Sequence, residues 1–312
     1  MLNMYLSDYC GHLQAIGHVQ KDCWIDMVAP TAAEIGIVSD SLNIPRDFIT
    51  DALDNYERAR IEREGGALLI IVDFPMMARD EINGETFETM PMGIIITEQH
   101  FITVCLHKNP ILGMFIANQV KGFFTFKKSR FALQILQHIA FRYLRDLKQL
   151  NKKTEAAEKI LHESVKNKHL FEMMNIEKSL VYIVTSLKSN RVVVEKIMRQ
   201  KLLKMYEDDE DLLEDVIIET SQALEMAEVH SNVLSGCMDA YASIIANNMN
   251  DVMKFLTLFT ILLTVPTLVF SFYGMNVELP YGAGPFAWVT TLALSILLGI
   301  ILSWILWIKK II

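Results

Sequence analysis

Two long runs without a charged residue lie close together near the end of the 312-residue chain. The first covers residues 255–272 and the second covers residues 287–308. Each is close to the roughly 20 residues that an α-helix needs to cross a hydrocarbon layer about 30 Å thick. One such run also occurs in buried helices of soluble proteins, but two in succession favour a membrane. The sequence therefore predicts two transmembrane helices.

The basic residues beside these runs predict their orientation. Lys254 precedes the first run, Lys309 and Lys310 follow the second, and the connector between them contains no Lys or Arg. Lys and Arg accumulate on the cytoplasmic side of membrane proteins. We therefore expect a multi-pass protein of the cell (inner or plasma) membrane, with both termini cytoplasmic and a short outer loop. The first residues lack the basic start and apolar core of a signal peptide.

The composition and the missing motifs argue against several classes of function. The formal net charge of −8 disfavours nucleic acid as a partner. No GxxxxGK[ST] sequence occurs, so we expect no nucleotide partner and no transport driven by ATP. The four cysteines form no CxxC pair, and no Ser/His/Asp or Cys/His spacing indicates catalysis. We predict that the chain is not an enzyme.

Residues 1–127 predict a cytoplasmic α+β domain. The segments "ALLIIVDFPMM" and "MGIIITEQHFITVCLH" are rich in β-branched residues, and the Asn-Gly pair between them predicts a hairpin turn. Residues 30–44 and 45–62 predict helices. Thr31 and Glu34 fit a capping box for the first helix, and Pro45 opens the second.

The rest of the chain predicts helices with few breakers. Residues 128–206 fit an antiparallel helical hairpin, because apolar residues recur there at helical spacing. Residues 207–273 fit one stalk helix that includes the first membrane run. Its part from about residue 210 to residue 273, about 64 residues, would be roughly 95 Å long. Residues 274–286 form the expected outer loop. Residues 287–312 form the second span and a short cytoplasmic tail.

A seam of small and polar side chains repeats every 3.5 residues along the predicted stalk helix. Several copies around an axis would bury this seam, which then lines a water-filled path. The alternative is that the hydroxyls bond to their own helix or join helices together. Because so many polar residues lie in one register, we favour a pore. The predicted pore-lining residues are Asp239, Asn250, Met253, Thr257, Thr260, Thr264, Thr267 and Ser271.

Gly274, Met275 and Asn276 close the outer end of this seam. Gly274 permits a left-handed or otherwise unusual backbone at a helix C-terminus. The last helix carbonyls and Asn276 supply neutral oxygen acceptors, and the partial negative charge of a helix C-terminus favours a cation. Magnesium gives up its water reluctantly, and such oxygens accept hydrogen bonds from that water without removing it. The chemistry predicts a selectivity site for a hydrated divalent cation.

The segment "YGMN" between two C-terminal spans, preceded by "NDVMKFLT", resembles the CorA family of magnesium channels. "CWIDMVAPTAAEIG" and "DALDNYERARIE" are also similar to the N-terminal domain of that family. The resemblance implies a funnel-shaped homopentamer in which the long helix lines the pore. It implies that Gly274, Met275 and Asn276 bind hydrated magnesium, that Asn250 and Met253 form an inner constriction, and that an aspartate ring lies deeper in the pore, at Asp239.

Two features depart from this family. Its C-terminal tail is often longer and more basic, whereas here it has only Lys309 and Lys310. The outer loop has a single acid, so attraction of cations there rests on Glu278.

Eight acids lie between residues 207 and 219, at the base of the stalk helix. Acids are favoured at any helix N-terminus, which explains several of them. The functional alternative is a divalent-ion site between neighbouring subunits. By resemblance, Asp215 matches a stalk aspartate that binds regulatory magnesium, and we include Asp211 in this site. The sequence does not identify the residue of the first domain that would complete this ion site; Asp80 and Glu81 are the candidates.

We expect a channel for hydrated magnesium, and for cobalt or nickel as further ions, that is driven by the membrane potential and gated by cytosolic divalent ions. Its partners are other copies of the chain, the bilayer and the ion itself. A zinc or other transition-metal transporter on the same scaffold is one alternative, although such relatives often vary the residue at Met275. A membrane-anchored coiled-coil scaffold is the other, and it would not need Asn276 or the threonine seam.

Overall fold

The computed structural model describes residues 1–9, 11–80, 84–163, 167–275 and 286–308. Seven strands form one sheet with the order β2-β1-β3-β7-β6-β5-β4, in which β3 and β7 are parallel and the other neighbours are antiparallel. The strands are β1 (Leu2–Ser7), β2 (Leu13–Ala15), β3 (Trp24–Val28), β4 (Arg60–Glu64), β5 (Ala67–Asp80), β6 (Gly84–Ile96) and β7 (Phe101–Cys105).

Two short helices, α1 (Ala32–Leu42) and α2 (Arg46–Thr50), contribute to an apolar core on the sheet. The predicted capping box is confirmed: Glu34 N–H donates to Thr31 Oγ1, and Thr31 N–H donates to Glu34 Oε2 at 2.8 Å. A third short helix, α3 (Pro110–Ile116), follows β7, and its Phe115 ring lies beside Phe123 and Phe131. This domain is a mixed α and β fold, as predicted.

The helix predicted over residues 45–62 is wrong beyond its first part. Only α2 and one 3₁₀ turn (Asp51–Leu53) are helical, and Arg60–Glu64 is strand β4. Ile61 is buried, and β4 pairs antiparallel with β5 along its whole length. Pairing with β5 outweighs the local helical pattern, because helix propensity is only a weak preference.

The β5–β6 pair is longer than the rest of the sheet. It runs from Leu68 opposite Ile96 to Asp80 opposite Gly84, whereas β4 pairs only with Ala67–Ile71 of β5 and β7 only with Met92–Ile96 of β6. Residues 73–80 and 84–91 therefore form a two-stranded ribbon that projects past the sheet. Residues 81–83, which include the Asn of the predicted Asn-Gly turn, lie outside the described residues.

Two long helices, α4 (Lys128–Glu163) and α5 (Asn167–Gln200), pack against this ribbon. Near its base, Tyr143 Oη donates to Asp73 O at 3.1 Å, and Asn190 exchanges two hydrogen bonds with the Asp73 backbone at 2.7 and 2.9 Å. Farther along, Lys153 lies over the Phe87 ring, and Phe87 N–H donates to Ser179 Oγ at 3.0 Å. From the base of the ribbon outward, the contacts on α4 run from Tyr143 to Lys153, whereas those on α5 run from Asn190 back to Ser179. The two helices are therefore antiparallel.

The long helix α6 (Glu207–Tyr273) is continuous over 67 residues. The chain forms two compact units, Met1–Cys237 and Met238–Ile312, and the first part of α6 belongs to the first unit. There it is tied to the hairpin by Lys188–Glu228 at 2.8 Å and by the Cys237 thiol, which donates to Glu158 Oε1 at 2.8 Å. The Glu158 carboxylate, aided by burial, raises the pKa of Cys237 to about 11.

The second unit contains the rest of α6 and helix α7 (Ala287–Ile308). Both helices are long and apolar enough to cross a membrane, and only 6% of each apolar window is buried. The two predicted spans therefore lie in helices as expected. The domain boundaries drawn from the sequence stay a prediction.

Candidate functional site

The predicted seam lies on α6 and is exposed throughout the second unit. Every described seam residue, from Asp239 to Ser271, falls in the exposed class. The partly or fully buried positions of the apolar stretch include Leu258, Ile261, Val265 and Val269. These lie about a third of a turn around the helix from the seam, given 3.6 residues per turn. The chain's own packing therefore covers one apolar face of α6 and leaves the polar seam uncovered, together with flanking apolar side chains such as Phe259 and Leu262.

Helix α7 contributes a stripe that was missed from the sequence. Its buried or half-buried positions include four small residues at four-residue spacing: Thr291, Ser295, Gly299 and Ser303. Ser295 is only 2% exposed. Small residues let two membrane helices approach closely, so this stripe suits the face at which α7 meets α6. The signal was present in the sequence as a small residue at every fourth position.

Three seam threonines bond to their own helix. The hydroxyls of Thr257, Thr260 and Thr267 donate to the carbonyl oxygens four residues earlier, at 2.8, 2.8 and 2.7 Å. These bonds are the ones that the alternative explanation of the seam predicts. They use the hydroxyl proton and leave the oxygen lone pairs unused. Each threonine therefore presents an acceptor on the exposed face of α6.

The sequence allowed a left-handed or an otherwise unusual backbone at Gly274. The left-handed conformation is not adopted, because Gly274 does not have a positive φ. Its N–H donates to Phe270 O at 2.9 Å, and the next N–H, of Met275, donates to Phe272 O at 3.4 Å. A Cβ at Gly274 would lie 3.1 Å from Phe270 O. Glycine is favoured here because of this close approach to a carbonyl oxygen.

The two remaining residues expected at the mouth, Asn276 and Glu278, lie outside the described residues. Their roles stay predictions. Met275 lies two residues beyond the end of α6 and is exposed. Below the apolar stretch, Asp251 and Lys254 form an exposed ion pair at 3.4 Å, one turn apart on α6.

The acid run divides into two groups. Asp209 is buried, accepts a hydrogen bond from Tyr206 N–H at 3.2 Å and lies 3.4 Å from Arg130, while Asp208 lies 3.8 Å from the same guanidinium. Capping and ion pairing explain these two acids. Asp211 and Asp215 are exposed instead.

The regulatory site expected at Asp211 and Asp215 stays a prediction. Within the described ranges, no group of three or more His, Cys, Asp or Glu side chains could hold a metal ion. Asp80 ends β5, and Glu81 is not among the described residues. Among the described residues, Asp211 and Asp215 therefore belong to no such group.

The chain is similar to known ion transporters along nearly its whole length. A family model described as "CorA-like Mg2+ transporter protein" matches residues 20–310. The Cobalt/magnesium transport protein CorA of Methanocaldococcus jannaschii is 27% identical over 292 residues, which cover 90% of this chain and 89% of that protein. The Magnesium transport protein CorA of Helicobacter pylori (strain 26695) is 24% identical over 289 residues, which cover 89% and 88%.

Solved structures give the same result for the fold. The complete structure of the CorA magnesium transporter from M. jannaschii superimposes with a TM-score of 0.82 at 25% identity, covering 98% of this chain and 96% of that one. The ZntB cytoplasmic domain from Vibrio parahaemolyticus has a TM-score of 0.62 at 9% identity, covering 78% of this chain and 98% of that one. The similarity to the ZntB domain concerns the fold alone.

Proposed function

Since the chain belongs to the family of CorA-like Mg²⁺ transporters, we propose that it forms a channel through which hydrated magnesium crosses the cell membrane. The family consists of membrane transporters, so the chain is not an enzyme. The proposed assembly is a funnel-shaped homopentamer with both termini cytoplasmic. Each copy contributes one α6 helix to the wall of a central pore.

The observation that carries this proposal is the uncovered seam on α6. Four threonines and one serine lie within an apolar helix, on a face that the chain itself leaves exposed. A hydroxyl placed in hydrocarbon without a polar partner costs free energy. Copies arranged around an axis remove this cost, because the seam then faces water and the apolar flanks face neighbouring helices. A scaffold without transport has no need for hydroxyls in this register.

The hydrogen bonds of the seam suit a hydrated cation. The water shell of a magnesium ion presents hydrogen atoms outward and needs acceptors around it. Thr257, Thr260 and Thr267 already donate their protons to their own helix and offer oxygen lone pairs instead. Such neutral acceptors bind the shell weakly, which conduction requires. Asn250, Met253 and the deeper Asp239 complete the proposed path.

The donor atoms favour magnesium over zinc. Residues 238–312 contain neither His nor Cys, the ligand types that transition metals prefer. Carbonyl, amide and hydroxyl oxygens suit magnesium with its waters retained. We therefore propose that Gly274, Met275 and Asn276 select the hydrated ion at the mouth, with Glu278 attracting cations to it. Cobalt and nickel ions of the same charge are the proposed weaker substrates.

The membrane potential is the proposed driving force. A charge that crosses 100 mV gains about 2.3 kcal/mol, so a divalent cation gains about 4.6 kcal/mol on entry. Magnesium bound at Asp211 and Asp215 is the proposed signal that closes the channel. Exposed carboxylates suit this role, because a sensor must hold its ion whereas a pore must release it.

The test is flux into liposomes that contain the purified protein. Magnesium, cobalt, nickel and zinc are offered one at a time at a fixed potential of inside-negative sign. We expect magnesium uptake that rises with the potential and falls when the potential is removed. Absence of uptake for every ion would leave only a scaffold role, and uptake of zinc without magnesium would favour the transition-metal alternative.

A matched pair of variants ties the flux to the seam. Asn250→Ala removes an amide from the seam, and Asn248→Ala removes the same group two positions away, on another face of α6. Both residues are exposed in the single chain, so neither change disturbs a packed core. We expect altered flux in the first variant and unchanged flux in the second. Equal behaviour of both variants would contradict a pore along this seam.

A further inference from the structure

Four segments of the first unit surround a cleft of about 1130 Å³. They are the turn between β4 and β5, the turn between β6 and β7, the start of α4, and the connector between α5 and α6 together with the acidic first turn of α6. Small-molecule sites typically have volumes of about 300–1,000 Å³, so this cleft is large enough for a small ligand. Asp211 and Asp215 are not among the residues that line the cleft.

Two of the five cationic side chains that line the cleft are already paired. Lys128 Nζ lies 2.7 Å from Asp22 Oδ1 and donates to the carbonyl oxygen of Glu98 at 2.6 Å. Arg130 lies 3.4 Å from Asp209 Oδ1. These contacts fix the floor of the cleft and neutralise its charge. The five cations are Arg63, Lys127, Lys128, Arg130 and Lys204.

Among the described residues, the other three cations have no carboxylate partner. Arg63, Lys127 and Lys204 are exposed, and none of them forms an ion pair within the described ranges of the chain. Glu98, Glu207 and Asp208 also line the cleft, but among the described residues none of them pairs with these three side chains. Lys127 Nζ lies 5.2 Å from the centroid of the Phe124 ring. Cations without a carboxylate partner on a concave surface attract anions.

The start of α4 adds donors to the same cleft. The first hydrogen bond at the start of this helix joins Phe131 N–H to Lys127 O at 2.9 Å, so the N–H groups of Ser129 and Arg130 precede the helical ladder. A helix N-terminus carries partial positive charge and binds phosphate oxygens through such groups. Two exposed aromatic side chains also line the cleft: Phe126 is 43% exposed and Tyr206 is 81% exposed.

We propose that this cleft binds a small phosphate-bearing anion. Arg63, Lys127 and Lys204 neutralise the charge of the ligand, and the first turn of α4 donates to its oxygens. The missing GxxxxGK[ST] motif argues against a nucleotide as the energy source, whereas this site holds a ligand without consuming it. Inorganic phosphates, nucleotides and lipid headgroups share the required chemistry, and the experiment separates them.

The test is calorimetric titration of the full-length protein in detergent, with EDTA present. The probes are inorganic pyrophosphate, ATP and short-chain phosphatidic acid, each added alone. We expect the double variant Lys127→Gln/Lys204→Gln to weaken binding at least about tenfold, because two charge-assisted hydrogen bonds are lost. The control is Lys148→Gln/Lys152→Gln, which removes the same charge from exposed positions of α4 outside the cleft and leaves binding unchanged.

The pattern across probes identifies the source of the phosphate. If Phe126→Ala weakens the binding of ATP but not of pyrophosphate, the ring stacks on a base and the ligand is a nucleotide. If ATP and pyrophosphate bind equally well to the Phe126→Ala variant, the ligand is an inorganic phosphate. If only phosphatidic acid binds, the ligand is a lipid headgroup. The proposal is overturned if no probe binds, or if both double variants lose affinity equally. No flux is measured, so the result does not depend on the transport proposal.

Discussion

Replacing Asp73 with Asn should stabilise the protein at neutral pH. The Asp73 side chain is buried where α4 and α5 meet the base of the β5–β6 ribbon. Burial there raises the pKa of Asp73 to about 6 from an ordinary value of 3.8, although a hydrogen bond with Ser186 partly opposes the rise. Tyr143 of α4 is a titratable group beside it, and it supplies no positive charge.

The sign follows from the raised pKa. The folded protein binds the Asp73 proton more tightly than the unfolded chain, so the stabilisation is complete below about pH 4 and is lost as the pH rises through about 6. A difference of roughly two pKa units corresponds to about 3 kcal/mol at pH 7.5 and about 1 kcal/mol at pH 4.5. Asn keeps the shape of Asp without the charge, so the variant avoids this cost.

Thermal unfolding of the full-length protein in detergent measures the effect. For a unit of this size, about 3 kcal/mol corresponds to a rise in Tm of about 6–12 °C at pH 7.5. The rise should shrink to about a third of that at pH 4.5. The control is Asp40→Asn, the same change at an exposed carboxylate of α1, for which we expect no such dependence. A shift of Tm that is equal at both pH values would refute the reasoning.

Three further predictions concern transport. Asn276→Ala should abolish magnesium uptake without preventing assembly, because it removes a ring of acceptors for the water shell; normal uptake in liposomes would end that assignment. Thr260→Val with Thr264→Val keeps the side-chain volume but removes two hydroxyls, so conductance should fall steeply, and unchanged current would mean that the threonines only join helices. Asp215→Asn should keep the channel open at internal magnesium levels that close the original protein, whereas Glu214→Gln, with the same loss of charge, should close normally. Closure of both variants at the same concentration, recorded as current, would exclude Asp215 as the sensor.

Features that rest on local chemistry were predicted from the sequence. The two apolar helices, the continuity of α6 and the capping box at Thr31 each depend on residues within a few turns of one another. Strand β4 could not be predicted in this way, because it forms through pairing with β5 and through burial of Ile61. Local propensity favoured a helix there, and a tertiary contact decided otherwise.

The candidate site shows the same division. The register of the seam was readable because an α-helix fixes the direction of each side chain. The conformation of Gly274 could not be predicted from the sequence. A glycine at the end of a helix can be required either by a left-handed backbone or by close approach to a carbonyl oxygen. The cleft that contains Arg63 and Lys204 was missed, because its four segments come from separate parts of the chain and meet only in the fold.

The end of the first unit at Cys237 has a consequence for biosynthesis. Residues up to that point are needed to complete the packing of α6 on α4 and α5, and the first apolar run begins at Phe255, only 18 positions later. At about 5–20 residues per second, the ribosome covers that distance in about one to four seconds. Folding of the first unit and delivery of the span to the insertion machinery are therefore nearly simultaneous. Substitutions that slow the folding of the first unit will present an unfolded domain to the membrane, and they will lower yield even where the mature protein is stable.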